Sequence, residues 1–276
     1  MRNLILYLGA MFLAIAVAPV ASPAFAQEEV VHPWERDRQV LTAADADSRV
    51  RGIEGLAAHI EPLEAALAGA SQAFEAAAAG DEDSVYVLVD GATQTMAAIV
   101  DAAGTAEAGG SDARSIVAVE NPYLMIAFYL GTYYNEYGLF TDAVRVLSAG
   151  LALPEMFPEL GETRVLLMIE RAAALGQTGD REQALAAYDE VLQRPGLATP
   201  FRASALRGRG FSLIELGRLD EAEAAYRASL EIDPDNPIAM NELTYIAGLR
   251  QGREKAPAIL ATPDKAAEAL AGQAPQ

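Results

Sequence analysis

From Asn121 onward the apolar and small positions of the chain repeat as three copies of one pattern, Gly131 to Pro154, Ala172 to Pro195 and Gly210 to Pro234. Aligned on Gly138, Gly179 and Gly217, each copy has a small residue seven positions upstream (Gly131, Ala172, Gly210) and an apolar residue four upstream (Tyr134, Leu175, Leu213). Five positions downstream stands an alanine (Ala143, Ala184, Ala222), and nine downstream a large apolar residue (Leu147, Tyr188, Tyr226). The spacing predicts two helical segments per copy, joined at a glycine able to take the left-handed conformation that ends a helix. The recurring small residues then mark where antiparallel helices approach closely. A weaker fourth copy starts at Asn236-Pro237, with Thr244 at the small position, Ala247 at the apolar one, Ala256 as the alanine and Gly252 one place late for the turn. Pro257 would interrupt its second helix, which suits a terminal capping unit.

Upstream the pattern changes. The polar stretch 27–47, with His32-Pro33-Trp34, reads as an extended lead-in. Val50, Ile53, Leu56, Ile60, Leu63, Leu67 and Phe74 predict one or two helices from Ser48 to Ala79, broken at Pro62. Val85 to Val89 has the composition of a buried strand. Yet Val85, Leu88, Val89, Ala92, Met96, Ile99, Val100 and Ala103 follow helical spacing, and a helix is the expectation for 83–103. Together these give an N-terminal helical region, 48–110, stacked on the first repeat and ending in a flexible joint at Gly104 to Ser111.

The three copies resemble the tetratricopeptide repeat, a helix-turn-helix unit with a small-large-turn-Ala-aromatic-Pro pattern over about 34 residues. The third copy is the best match, with Gly210, Leu213, Gly217, Ala222, Tyr226 and the closing Asp233-Pro234-Asp235-Asn236. The turn glycines are 41 and 38 residues apart, so the first two copies depart from the family period and the regularity of the superhelix is in doubt. The resemblance implies an all-α fold, a right-handed solenoid of helix pairs over 121–256, with units near 121–157, 162–196 and 200–235 and a cap at 236–256, then a tail at 257–276. It also implies that the first helix of each pair lines a concave groove where partners dock. By position the lining is Met125, Phe128, Thr132 and Asn135; Leu166, Ile169 and Ala173; Ser204, Arg207 and Phe211; Ile238, Asn241 and Tyr245. The lysine and asparagine clamp of the family's best-known peptide binders is absent, so the resemblance supplies a place and no ligand.

Residues 1–26 have a different pattern: Arg2, an apolar run from Leu4 to Val20, and Ala24-Phe25-Ala26 before Gln27. That order predicts a cleaved secretory signal and a periplasmic product with no integral membrane segment after cleavage. The alternative, an uncleaved anchor, fits less well because Pro19 and Pro23 break the run. The net charge of −19 excludes nucleic acid and anionic lipid as partners of choice. With no cysteine and only His32 and His59, there is no zinc spacing and no Ser-His-Asp set. His59 reads as a packed or boundary histidine, and Asp81 to Asp83, Asp45 and Asp47 as caps of following helices. No catalytic residue, metal or cofactor is indicated.

The expected function is therefore a non-enzymatic scaffold that binds a peptide or helix of another protein. Phe128, Phe211 and Tyr245 would be anchors and Asn135, Asn241 and Arg207 polar fixings. Three alternatives remain open. The chain's own N-terminal helices or tail may be read as filling the groove, the terminal helices as mediating homo-oligomers, or the protein as an accessory of envelope polysaccharide assembly.

Overall fold

The computed structural model of the chain describes residues 31–91, 94, 96–98, 114–155 and 161–255. The proposed leader, the Gly104 to Ser111 joint and the tail from Ala256 lie outside the described residues. Three helix pairs and a single helix follow Asn121: α3 (Tyr123–Glu136) with α4 (Phe140–Leu151), α5 (Glu162–Gln177) with α6 (Arg181–Gln193), α7 (Thr199–Glu215) with α8 (Leu219–Ile232), then α9 (Pro237–Arg250). Before them come α1 (Pro33–Arg51), a 3-10 segment (Gly52–His59), α2 (Ile60–Ala79), β1 (Ser84–Val89) and β2 (Ser115–Glu120). The fold is an all-α helical-repeat stack carrying one two-stranded insertion.

The repeating residues form one packing device. A Cβ on Gly131 would come within 2.5 Å of the Leu147 side chain, and one on Gly210 within 2.7 Å of the Tyr226 ring. Ala172 and Tyr188 make the same pair in the second unit, both in one buried cluster. Each small residue on a first helix thus seats the large residue of the second helix of its own pair. Ala143, Ala184 and Ala222 are fully buried beside these contacts. Gly138, Gly179 and Gly217 all have positive φ, which a side chain at Cβ would oppose. In the last unit it is Ile246 that is buried; Ala247, expected at that place, is exposed. Gly252, at φ 90°, still ends α9.

The N-terminal section differs from expectation in several places. Residues 33–47 are helical: Pro33 opens the first turn, where its missing N–H costs nothing, and the Glu35 carboxylate accepts the His32 N–H at 3.2 Å. α1 buries only Trp34, Asp37 and Ala44, which is why its polar sequence carries no helical apolar stripe. Asp45 and Asp47 lie inside it and cap nothing. Pro62 sits in the first turn of α2, and the chain instead tightens over Gly52–His59. Gly55 is required there, since a Cβ would meet the Asp47 carbonyl at 2.3 Å.

Residues 84–89 form a strand, not a helix, paired in parallel with β2 from Ser84↔Ser115 to Val89↔Glu120. The helical spacing competed with β-rich local composition, and a partner strand far along the chain decided it; Gln94 and Met96 to Ala98 are helical. Asp81 therefore caps no helix. It holds the turn into β1, accepting the N–H groups of Asp83 and Ser84 at 2.9 and 2.8 Å and the Tyr86 hydroxyl at 2.6 Å.

α2 packs along α3, and one buried cluster runs from Trp34 through Leu63 and Ala70 into Tyr123, Leu130 and Leu147. Trp34 stacks on His32 at 4.4 Å and leans on Tyr86 at 5.2 Å. Three tyrosine hydroxyls of α3 donate to carboxylates of the N-terminal helices: Tyr123 to Asp37 at 2.9 Å, Tyr129 to Asp45 at 2.5 Å, Tyr134 to Glu64 at 2.8 Å. His59 bonds Asp47 at 2.8 Å, a boundary position as expected.

Candidate functional site

Among the first helices α3 packs against α5 and α5 against α7, while α9 packs on α8. The predicted lining residues lie on them at unequal depth. Phe128 and Ile169 are 7% and 9% exposed and belong to the core; Ile238 at 49% is open to solvent, as is Asn241. Met125, Thr132, Asn135, Arg207, Phe211 and Tyr245 are half-buried. Accessible apolar surface on this face thus lies toward α7 and α9. Phe128, named as an anchor from its spacing, is instead packed with Tyr129 at 6.2 Å in the cluster shared with the N-terminal section.

Two of the predicted polar residues are joined to groups that spacing did not indicate. Asn135 Nδ2 donates to the Glu170 carboxylate at 3.0 Å, tying α3 to α5, while its Oδ1 is buried with no partner. Burial pushes the Glu170 carboxyl above the ordinary glutamate value, with Asn135 opposing the shift. Arg207 is held 3.9 Å from Asp233 of the α8–α9 turn, and its Nη1 is buried without a hydrogen-bond acceptor. Desolvation pulls the Arg207 guanidinium down, and Asp233 offsets part of that. Thr132 Oγ1 and Gln177 Nε2 are likewise buried and unpartnered. Buried polar groups are nearly always satisfied in folded proteins.

Glu242 was missed as well. Gly208 in α7 fills the place of Glu170 in α5, two residues before the small position of the repeat (Gly210 and Ala172), whereas Glu242 in α9 falls one residue past that place once Ile246 is the buried apolar position. Burial, then the charge of Glu215, pushes the Glu242 carboxyl up. The signal available in sequence was an acid interrupting an otherwise apolar helix, Val165 to Glu170. Gly208 has a packing reason: a Cβ there would stand 2.2 Å from the Tyr188 ring.

A second polar site lies where β1 and β2 end. Asp90, Gln94, Asn121, Glu155, Gly161 and Arg164 line a cleft with room for about one water-sized sphere, about 10 Å³. Thr163 donates to Asp90 at 2.8 Å, and Arg164 donates to the Leu151 and Leu153 carbonyls at 2.7 and 2.9 Å. This locks the strand pair to the start of α5. Among the described residues no group of three or more His, Cys, Asp or Glu could hold a metal, and no helix is long and apolar enough to cross a membrane.

Helix pairs stacked through small-on-large contacts define a helical-repeat module. Residues 169–237, from the middle of α5 to the start of α9, match the tetratricopeptide repeat family. The chain is also similar to the NMR structure of the first TPR domain of the human RPAP3 protein, at 21% identity and TM-score 0.39, covering 47% of this chain and 94% of that one. The first TPR of Spaghetti (RPAP3) bound to HSP90 peptide SRMEEVD gives 22% identity and TM-score 0.40, covering 48% of this chain and 97% of that one. Curated protein sequences give no match.

Proposed function

We propose that this protein is a non-enzymatic scaffold of the cell envelope, exported by a leader cleaved after Ala26, which binds a peptide or helix of another protein on the face formed by α5, α7 and α9. The observation that carries the reading is the coincidence on these helices of the part-exposed apolar side chains Phe211 and Ile238 with the polar side chains of Arg207 and Gln177. Apolar anchors supply binding energy, and the polar atoms fix a backbone in register.

The test is Phe211→Ala. Affinity for partners recovered by crosslinking from intact cells should fall by about 2 kcal/mol or more, because buried aromatic anchors dominate interfaces. Thermal stability should change little, since Phe211 is only half-buried. If Phe211→Ala lowers the melting temperature and leaves every partner interaction intact, the face belongs to the protein's own packing. Export is tested separately by N-terminal sequencing of the mature protein, expected to begin at Gln27; an intact Met1 in a membrane pellet would reject it.

A further inference from the structure

We propose that β2 is the surface through which two copies of this chain associate, their β2 strands pairing antiparallel about a two-fold axis at Val117 to make one four-stranded sheet. This surface belongs to the insertion before the repeats and does not depend on the face formed by α5, α7 and α9.

Among the described residues β1 and β2 form a sheet of two parallel strands and no more. Parallel strands are found almost only inside larger, covered sheets, and two strands alone are marginal in water. The register shows which edge is open. Ser115 and Asn121 donate their N–H groups to the Asp83 and Val89 carbonyls at 2.7 and 2.8 Å, so the odd-numbered residues of β2 face β1. The backbone groups of Ile116, Ala118 and Glu120 therefore point away from β1, and no described residue answers them. Val119 packs with Tyr86 and Leu88 of β1 against the core, whereas Ile116 is 45% exposed. Natural edge strands are blunted by lysine, proline or a bulge. β2 has none of these: Ser115 to Glu120 pairs with β1 at every position and carries a single charge, at its end.

The charges at the two ends of the strand select the occupant. Arg114 and Glu120 stand at equal distances on either side of Val117. Two copies related by a two-fold axis at Val117 set Arg114 of each opposite Glu120 of the other, and Ile116 opposite Ala118. Ile116 and Ala118 both have outward backbone groups, so they exchange hydrogen bonds as an antiparallel pair requires. A parallel pairing in the same register would set Glu120 on Glu120 and Arg114 on Arg114. Arg114 is steadied near the strand by its bond to the Ala79 carbonyl at 2.7 Å. The strand is therefore its own complement in the antiparallel sense alone.

The experiment is sedimentation equilibrium of the purified protein, backed by one crosslink. The protein should be a dimer that dissociates on dilution. Ala118→Pro removes an outward N–H and no bond to β1, and Ile116→Lys places a charge at an exposed site. Each should weaken the dimer about ten-fold or more and leave the circular dichroism spectrum unchanged. The chain has no cysteine, so Val117→Cys supplies a single thiol per copy. The axis sets that thiol against itself, in a facing pair about 4.5 Å apart between Cα atoms, within disulfide reach. Mild oxidation should link the Val117→Cys chains much faster than Met240→Cys, whose site is exposed on α9. A monomer at every concentration, a dimer indifferent to Ile116→Lys, or equal crosslinking of the two cysteine variants would overturn the inference. If Ala118→Pro fails to fold, Ile116→Lys and the crosslink decide. A monomer that loses a cellular partner on Ile116→Lys would overturn self-pairing in favour of a foreign strand. Phe211→Ala should leave the dimer intact; a dimer lost with it would place the interface on the repeats and overturn the inference as well.

Discussion

The two halves of the molecule are held together by different physics. In the repeat stack each pair is fastened by a contact sixteen residues long in sequence, Gly131 with Leu147 or Gly210 with Tyr226, reinforced by a buried alanine and a left-handed glycine. The N-terminal section is fastened to α3 across 70 to 86 residues by hydroxyl-to-carboxylate bonds around an aromatic cluster. Short-range packing that recurs at a fixed period adds up one unit at a time, whereas the long-range set forms only once both partners have folded. The stack should therefore tolerate damage to the N-terminal section better than the reverse.

The largest expected effect comes from Trp34→Ala. It empties a fully buried site against His32 and Tyr86 and should cost about 3–5 kcal/mol. Hydrogen exchange would sharpen the contrast: protection should be lost in α1, β1 and α2 and kept in α6 to α8. Uniform loss would mean that the two regions are a single cooperative unit. Ala222→Leu should follow at about 1–3 kcal/mol in denaturant titration, because the site is fully buried between α7 and α8 with no space beside it. Tyr123→Phe should cost less, about 1 kcal/mol, since Arg36 still satisfies Asp37 at 2.9 Å when the hydroxyl is gone.

The smallest effect is in the pH profile. Arg145 first, and Tyr134 with it, hold the Glu64 carboxyl below its ordinary value. That contribution to stability is present above about pH 4.5 and is lost as pH falls through the lowered value. Burial, with the Glu64 bond, pushes the Tyr134 hydroxyl up to about 12, so its contribution is complete below about pH 10 and is lost as pH rises from there toward 12. Tyr134→Phe should flatten the alkaline slope, and Glu64→Gln the acid one. Unchanged slopes would remove this pair from the junction.

What could be read from sequence tracks the same division. The turn glycines, the three alanines and the small-on-large pairs are local and repeated, and the repeat pattern placed them in register. α1 was unreadable because a helix that buries Trp34, Asp37 and Ala44 has no apolar stripe, and β1 because its partner lies beyond the reach of any short window. For the candidate face, family spacing assigned its residues to the first helix of each pair, and the structure places them on α3, α5, α7 and α9. It also promoted Phe128, which packs in the cluster shared with the N-terminal section, and passed over the Asn135–Glu170 bond, which joins two helices and has no local pattern.

The central claim is that partners are received on α5, α7 and α9. Amide hydrogen exchange of the protein with and without a partner recovered by crosslinking tests it most directly. Slower exchange confined to those three helices, and absent from the Phe211→Ala variant, is the predicted result. Protection that appears instead on α1, α2 or β2 would contradict the account and move the binding surface to the N-terminal section.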